Sequence, residues 1–170
     1  MISKRLKEFD INIKSLSRNE NTFSFQLSEK LFLFYDDNND LKDIKGICKL
    51  IINKTNNFME MYFDIEGSVN LICDRTLKKF NYNLKKENKI IVKFGKIDEE
   101  INEEIITIKY NTSIFNVSKF IYDFFLLSIP IKRLHPSLEN EDIIDTFVFS
   151  TKDENKKIDP RLELLKNIKT

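Results

Sequence analysis

The sequence is poor in the residues from which many catalytic and cofactor sites are built. Its 170 residues include no Trp, no Ala, three Gly, three Pro, two Cys and one His. Three glycines far apart exclude the glycine-rich loops that cradle phosphates in nucleotide-binding enzymes. One His and two distant Cys lack the close spacing of a metal site. We therefore expect no enzyme activity, no cofactor, no bound metal and no small-molecule substrate.

The chain also lacks a long apolar run and a secretion signal. The most apolar stretch, residues 120–131, contains Asp123 and Pro130 and falls short of the ~20 residues that a membrane-spanning helix needs. Acidic residues follow the first cations before any apolar signal core could form. We expect a cytoplasmic protein with no membrane partner, in which Cys48 and Cys73 stay reduced and behave as small apolar residues.

What the chain does contain is a strong alternation of apolar and polar residues. The longest alternation, Met59–Leu71, predicts a half-buried strand that Gly67 divides by a bend or bulge. A weaker alternation, Ile44–Ile52, predicts its antiparallel partner. Shorter patterns predict a helix at Glu29–Tyr35 and further strands at Phe9–Ile13, Thr22–Leu27 and Ile105–Ile108.

A second hairpin is predicted after the turn at Cys73–Thr76. Apolar residues at alternate positions form two sets, 80–84 and 90–94, which the polar residues 86–88 separate. We expect the turn of this hairpin at residues 86–88. Antiparallel strands therefore dominate the predicted sheet, and a barrel-like arrangement of the hairpins is one form that it could take.

Helix signals are concentrated in the last third of the chain. Asn116 can cap a helix that Pro130 ends, and the apolar face of this helix predicts the inward residues Val117, Phe120, Ile121, Phe124 and Leu127. A short terminal helix is predicted from Asp159. Between the helices, the charged residues 139–157 predict a mobile connection. Residues 1–170 are expected to form one α+β domain.

Positive charge is concentrated on the second predicted hairpin. Residues 75–96 carry eight cations against Glu87 alone, a local excess of seven. Strand parity places four of the lysines on the outward face: Lys79, Lys85, Lys89 and Lys93. Like charges side by side on a sheet cost up to ~1 kcal/mol per pair, so an anionic partner such as RNA phosphate would stabilise them. Two alternatives stay open: the lysines keep a sheet edge soluble, or the acidic loop 98–104 neutralises them.

A second cationic segment, Ile129–Pro136, follows the predicted helix and contains the single histidine. Its charged side chains are Lys132, Arg133 and His135. One interpretation is structural, since cations after a helix complement its dipole and its last carbonyls. The other interpretation is a corner of the molecule that contacts a partner.

These residues and their order resemble the YceD family, bacterial and plastid proteins associated with accumulation of the large-subunit ribosomal RNA. The resemblance covers nearly the whole chain, and it is carried by the strand entering Cys73–Thr76, the acidic loop 98–104, Asn116–Pro130 with His135, and Asp159–Leu162. Many members of the family have a second cysteine three residues after the first one in that turn. This chain has Thr76 there, which puts a shared metal role in doubt.

The resemblance implies a non-catalytic factor in ribosome assembly that acts on 23S ribosomal RNA or on an early large-subunit particle. The residues expected to bind RNA or a partner are Arg75, Lys79, Lys85, Lys89, Lys93, Lys132, Arg133 and His135. The alternative is a protein adaptor that holds a ribosomal protein or an assembly factor without direct RNA contact. The near-neutral net charge of +1 favours the adaptor over a dedicated RNA binder. A third, minor alternative is an RNA-processing enzyme that uses His135.

Overall fold

The computed structural model describes residues 6–36 and 41–138. The chain divides into two units, residues 1–136 and 137–170, and every strand and α-helix given below lies in the first unit. The predicted connection at residues 139–157 and the predicted terminal helix both lie outside the described residues. The single-domain prediction for the whole chain therefore stays a prediction.

The described residues form eight strands and two α-helices. The strands are, in chain order, β1 (Asp10–Asn12), β2 (Glu20–Leu27), β3 (Lys42–Lys54), β4 (Phe58–Ile72), β5 (Lys79–Gly95), β6 (Glu99–Glu100), β7 (Ile105–Lys109) and β8 (Ile114–Asn116). The helices are α1 (Glu29–Tyr35) and α2 (Ser118–Leu127), and short 3-10 turns lie at Lys7–Phe9, Ile13–Ser15 and Pro136–Leu138. The predicted first hairpin, the predicted early helix and the predicted strands near β2 and β7 are confirmed, and β1 is shorter than the strand predicted there.

Six strands form one mixed sheet in the order β2-β3-β4-β5-β7-β6, and β1 pairs with β8 in a separate two-stranded sheet. The pairs from β2 to β5 are antiparallel, and β5 and β7 are parallel. After β5 the chain skips one position in the sheet and forms β6 at the edge. It then turns back and forms β7 between β5 and β6, antiparallel to β6 and therefore parallel to β5. The mainly antiparallel α+β prediction is confirmed. The barrel-like alternative is wrong for the described residues, where the sheet is open with β2 and β6 at its edges.

One face of the sheet carries the core and packs against both helices. Phe32 of α1 meets Phe125 of α2 with ring centroids 4.7 Å apart, and the hydroxyls of Tyr35 and Ser118 share a hydrogen bond of 2.6 Å. Removing such apolar surface from water, at roughly 25 cal/mol per Å², is the main force that holds the helices on the sheet. The sheet contributes side chains with no exposed surface: Cys48, Leu50, Ile52, Met59, Met61, Ile65, Val69 and Val92.

The second predicted hairpin is wrong, because residues 79–95 form the single long strand β5. This strand pairs with β4 without interruption over fifteen residue pairs. The apolar residues on both sides of the predicted turn occupy even-numbered positions, so one alternation runs straight through residues 86–88. Those residues also lack the glycine that tight hairpin turns prefer. The lysines are therefore strung along one strand, with Lys79 and Lys93 about 45 Å apart.

The helix α2 agrees with the predicted helix but differs in its inward face. The Asn116 Oδ1 accepts hydrogen bonds from the backbone N–H of Ser118, over 3.1 Å, and from its hydroxyl. The Asn116 Nδ2 donates to Asp10 Oδ1 over 2.8 Å, which ties the helix start to β1. Phe125 is fully buried, whereas Leu127, predicted to face inward, is 73% exposed. The buried stripe follows i, i+4, i+8 from residue 117, and Leu127 falls outside it.

Gly67 does not divide β4, which is continuous. It lies directly opposite Gly46 of β3. A Cβ atom on Gly67 would lie 2.7 Å from the Lys45 carbonyl oxygen and 3.4 Å from the Phe125 ring. The two glycines therefore allow a close approach of two strands and a helix. The irregularity of this region lies in β3, where the register shifts between Lys42 and Lys45.

Gly67→Ala is expected to lower the free energy of unfolding by about 1–3 kcal/mol, because the added methyl group meets backbone of the β3–β4 ladder. Urea denaturation followed by circular dichroism measures the change. Gly95→Ala is the matched control, because its Cβ would meet Thr107 Cγ2, the end of a side chain, rather than backbone. Equal losses of stability in the two variants would contradict the close-approach role.

Candidate nucleic-acid interface

The turn between β4 and β5 is closed by two backbone hydrogen bonds. Cys73 N donates to Lys78 O, and Leu77 N donates to Cys73 O, both over 2.9 Å. Leu77 has a left-handed backbone, with φ 56°, and its side chain is 78% exposed. Such a backbone costs a non-glycine residue roughly 1–2 kcal/mol, so the surroundings must hold the turn in shape. The exposed side chains of Arg75 and Lys78 project from this fixed turn.

The segment that follows α2 packs against this turn. Asp74 N donates to Arg133 O over 2.9 Å, and Arg133 N donates back to Asp74 Oδ2 over 2.7 Å. His135 N donates to Cys73 Sγ over 3.3 Å, and the His135 ring meets the Phe80 ring edge-on with centroids 5.7 Å apart. The partners of these contacts are separated by 59 and 62 positions in the sequence. The contacts therefore join two distant cationic segments.

The joined segments form one surface, which we term the basic corner: Arg75, Lys78, Lys79, Lys132, Arg133 and His135. Four of these side chains are exposed, and Arg133 and His135 are half-buried. The exposed apolar side chains of Leu77 and Ile131 belong to the same two segments. Two groups of residues predicted separately from the sequence are thus brought together at one end of β5.

The described contacts give little support to the structural interpretation of the segment Ile129–Pro136, in which its cations complement the dipole and the last carbonyls of α2. The last carbonyls of α2 accept hydrogen bonds from the backbone N–H groups of Ser128 and Ile129 over 3.1–3.2 Å. The Ser128 hydroxyl adds another hydrogen bond to this turn, over 2.5 Å. The contacts shown for Arg133 and His135 point instead to the β4–β5 turn.

Lys85 and Lys89, two other predicted binding residues, are paired with carboxylates of β4. Lys85 Nζ lies 2.5 Å from Glu66 Oε1, and Lys89 Nζ lies 2.6 Å from Glu60 Oε1. The Lys89 ammonium also lies 5.0 Å from the centre of the Tyr62 ring. The hydrogen bond to Glu66 raises the pKa of Lys85, and that to Glu60 raises the pKa of Lys89. An incoming phosphate would meet a carboxylate beside each of these two cations.

Lys93 lies at the far end of β5, opposite Phe58 of β4 and Thr107 of β7. The acidic segment 98–104, predicted as a loop, contains the short strand β6. Among the described residues it supplies no ion-pair partner to the lysine stripe, which is Lys79, Lys85, Lys89 and Lys93. Its Asp98 is paired with Lys109 at 3.0 Å, and this hydrogen bond lowers the pKa of Asp98. In the described part of the chain, the carboxylates that pair with the stripe come from β4, and they reach only Lys85 and Lys89. The structure therefore separates Lys85, Lys89 and Lys93 from the basic corner.

Comparison with known proteins assigns the chain to a family. The family model described as "Large ribosomal RNA subunit accumulation protein YceD" matches residues 61–169, more than half of the chain. The chain belongs to the YceD family. The YceD match begins within β4 and includes β5, α2 and the whole basic corner. No curated protein and no solved structure matches the chain. No helix of the described part is long and apolar enough to cross a membrane.

The thiol of Cys73 lies buried at the junction of the basic corner. The Thr76 hydroxyl and the N–H groups of Thr76, His135 and Arg75 lower its pKa from 9.0 to about 7, against the opposing effect of burial. Thr76 thus donates a hydrogen bond from the position where many YceD members have a second cysteine. The described residues contain no group of three His, Cys, Asp or Glu side chains that could hold a metal ion. A single thiol beside a hydroxyl does not fit a metal centre.

Sequence reasoning alone misses three residues that decide the electrostatics of this region: Glu60, Glu66 and Lys78. A signal for the two carboxylates does exist, because strand parity puts them on the same outward face of the sheet as the lysines. Their pairing with Lys85 and Lys89 depends on the register of β4 against β5. The predicted hairpin with its turn at residues 86–88 does not contain this register. The contact between Cys73 and His135 has no signal in the sequence pattern.

Stability is expected to rise between pH 7 and pH 9, because Cys73 loses its proton at a pKa of about 7 when folded and near the ordinary 9.0 when unfolded. The unfolded chain binds more protons than the folded protein in that range, so the free energy of unfolding rises with pH. The added stability is complete above the pKa of Cys73 in the unfolded chain, and it is lost as the pH falls through the pKa of Cys73 in the folded protein. Urea denaturation across this pH range measures the effect. Cys73→Ser should abolish the slope, and Thr76→Val should flatten it.

Cys48→Ser is the control for this titration. Burial, with a smaller contribution from Asp64, raises the pKa of Cys48 to about 12, so its thiol stays protonated in the folded protein, whereas in the unfolded chain it begins to ionise near pH 9. The control variant should therefore keep the rise in stability of the wild-type protein, and the rise should be slightly steeper close to pH 9. A slope that persisted in Cys73→Ser would show that another group is responsible.

Proposed function

We propose that this YceD family member supports accumulation of the large-subunit ribosomal RNA as a non-catalytic cytoplasmic factor that binds the RNA, free or in an early large-subunit particle, through the basic corner. The observation that carries the proposal is the hydrogen-bonded junction between the turn at residues 73–78 and the segment at residues 131–135. This junction holds cations from both segments on one surface.

The distribution of charge supports this surface over the lysine stripe as a whole. Further along β5, Lys85 and Lys89 each lie within hydrogen-bond distance of a carboxylate. Phosphate contacts gain affinity by releasing counterions from the nucleic acid, and a neighbouring carboxylate opposes them. The proposed contact is therefore the Lys79 end of the stripe.

The shape and composition of the basic corner favour an irregular RNA element. Leu77 and Ile131 expose apolar surface from the same segments as the cations. Unpaired bases in loops and junctions offer apolar faces next to phosphates, whereas a regular RNA helix hides its bases. The contacts of His135 with Cys73 and Phe80 favour an anchoring role for this residue over a catalytic one.

A charge-matched pair of variants tests the proposal. Arg75→Gln, Lys79→Gln and Lys132→Gln together remove three charges from the basic corner, and Lys85→Gln, Lys89→Gln and Lys93→Gln remove three from the rest of the stripe. We expect the first variant to bind large-subunit rRNA fragments at least about tenfold more weakly and to reduce the salt slope by about 2, since each single-strand phosphate contact contributes about 0.7. Fluorescence anisotropy across a salt titration measures both quantities.

The second variant should lose less than about threefold, since two of its three lysines, Lys85 and Lys89, already have carboxylate neighbours. Equal losses in both variants would remove the basic corner as the RNA contact. Binding confined to protein-containing particles and unchanged by either variant would favour the adaptor alternative. An activity on RNA that His135→Ala abolished in a folded protein would contradict the non-catalytic assignment.

A further inference from the structure

The strand β5 has an open edge along most of its length. Pairing with β7 covers Ile91–Gly95, and no described strand pairs with residues 79–90 on that side. Ile91 N donates to the loop before β7, so the backbone groups of Ile91 point toward β7. Because backbone N–H and C=O groups alternate in direction along a strand, those of Glu87 and Lys89 point to the same side as those of Ile91. Lysines are common on such edges because they discourage aggregation, and this accounts for part of the lysine stripe.

An apolar groove adjoins this edge. It has a volume of about 690 Å³ and lies between β5, the loop before β7 and α2. Leu127, the last residue of α2, is 73% exposed. The apolar residues that line the groove are Ile106, Phe120, Phe124, Leu126 and Leu127. Exposed apolar surface of this kind marks a site where another molecule packs.

The rim of the same groove is acidic, since four carboxylates line it: Glu100, Glu103, Glu104 and Asp123. Glu87 borders the groove from the edge of β5, with its side chain on the strand face opposite to that of Asn88. Within the described residues, none of these carboxylates forms an ion pair, whereas Glu60, Glu66 and Asp98 each have a lysine within 3.0 Å. Of the two lysines that line the groove, Lys89 is itself engaged by Glu60. The groove therefore carries an excess of negative charge, in contrast to the paired surface of the sheet.

A buried acceptor in the groove has no donor within the described part of the chain. This acceptor is the Asn88 Oδ1, which no described group reaches with a hydrogen bond. Asn88 shares its strand parity with buried Leu84 and Ile90, so its side chain lies on the α2 side of the sheet. A buried acceptor without a donor is destabilising, and a donor from a bound molecule would remove that cost.

We propose that this groove docks an extended basic segment of a partner protein, which adds to the open edge of β5 as a strand. The backbone of the segment bonds to the free N–H and C=O groups near Glu87 and Lys89. Its apolar side chains pack on α2 around Leu127, and its Lys or Arg side chains lie among the rim carboxylates. The same carboxylates repel RNA phosphate, so this surface serves a different partner from that of the basic corner.

A peptide of alternating Lys and Val tests the charge requirement by fluorescence anisotropy. Glu100→Gln with Glu103→Gln should weaken binding at least about tenfold, because two carboxylates that face the peptide are lost. Glu20→Gln with Glu99→Gln is the matched control, since it removes the same charge from exposed positions that do not line the groove. The control should change affinity less than about threefold. Equal effects of the two variants would overturn the proposal.

The backbone requirement is tested at a single position. Glu87→Pro and Glu87→Gln remove the same charge, but only proline removes the N–H that faces the open edge. The β4 ladder should survive, because proline is tolerated on an edge strand where its missing N–H faced solvent. We expect Glu87→Pro to bind the peptide about tenfold more weakly than Glu87→Gln, as strand addition requires. Slower hydrogen exchange at the Lys85 and Lys89 amides of the wild-type protein after peptide addition checks this point without a variant.

Further outcomes separate this inference from other occupants and from the proposed RNA contact. A dimer in sedimentation velocity that Glu87→Pro dissociates would place a second copy of the chain on the edge and overturn the proposal. Displacement of the bound peptide by rRNA fragments that persists in the variant of Arg75, Lys79 and Lys132 would place RNA in the groove itself and would also overturn the proposal. The variant of Arg75, Lys79 and Lys132 should bind the peptide normally, so failure of the RNA proposal leaves this one standing.

Discussion

The uninterrupted pairing of β4 with β5 is the constraint on which the rest of the structure depends. Fifteen residue pairs, from Phe58 opposite Lys93 to Ile72 opposite Lys79, keep one register without a bulge. Because side chains alternate between faces, this register puts the buried apolar residues of both strands on one face. Every charged residue of the two strands except Lys86 lies on the other face. A slip of one residue would exchange the two sets, so the buried core and the surface charges are fixed together.

The length of this pair also determines where the two candidate interfaces lie. The β5 strand is longer than the part that β7 covers, so among the described residues the edge of β5 before Ile91 stays open, and the acidic groove adjoins it. At the other end, the two strands are joined by the tight turn at residues 73–78, which exposes a cluster of cations. The turn also buries Cys73 against the N–H of His135, and this contact anchors the segment that follows α2.

The sequence predicts the local features of this protein better than its long-range ones. The strands β3 and β4, with their alternating apolar residues, and the short helix α1 can be predicted from the sequence because each depends on residues that are close together in the chain. The predicted hairpin within β5 is wrong because the apolar positions keep one unbroken alternation across the polar residues 86–88. The partners of Lys85 and Lys89, and the contact of Cys73 with His135, depend on register and on packing between distant segments. Local patterns carry no information about either.

A net charge near zero is compatible with binding an anion when the charges are segregated in space. Lys79 at the basic corner and Glu87 at the groove are separated by eight positions of one strand, about 26 Å. Charges exposed to solvent are screened over about 8 Å at physiological ionic strength, so each surface acts on its partner almost independently of the other. The total of +1 is then a sum of opposite local potentials rather than a measure of either. The rigid β4–β5 pair supplies the separation that keeps the two potentials from cancelling, because a flexible connection would let the cations fold back onto the carboxylates.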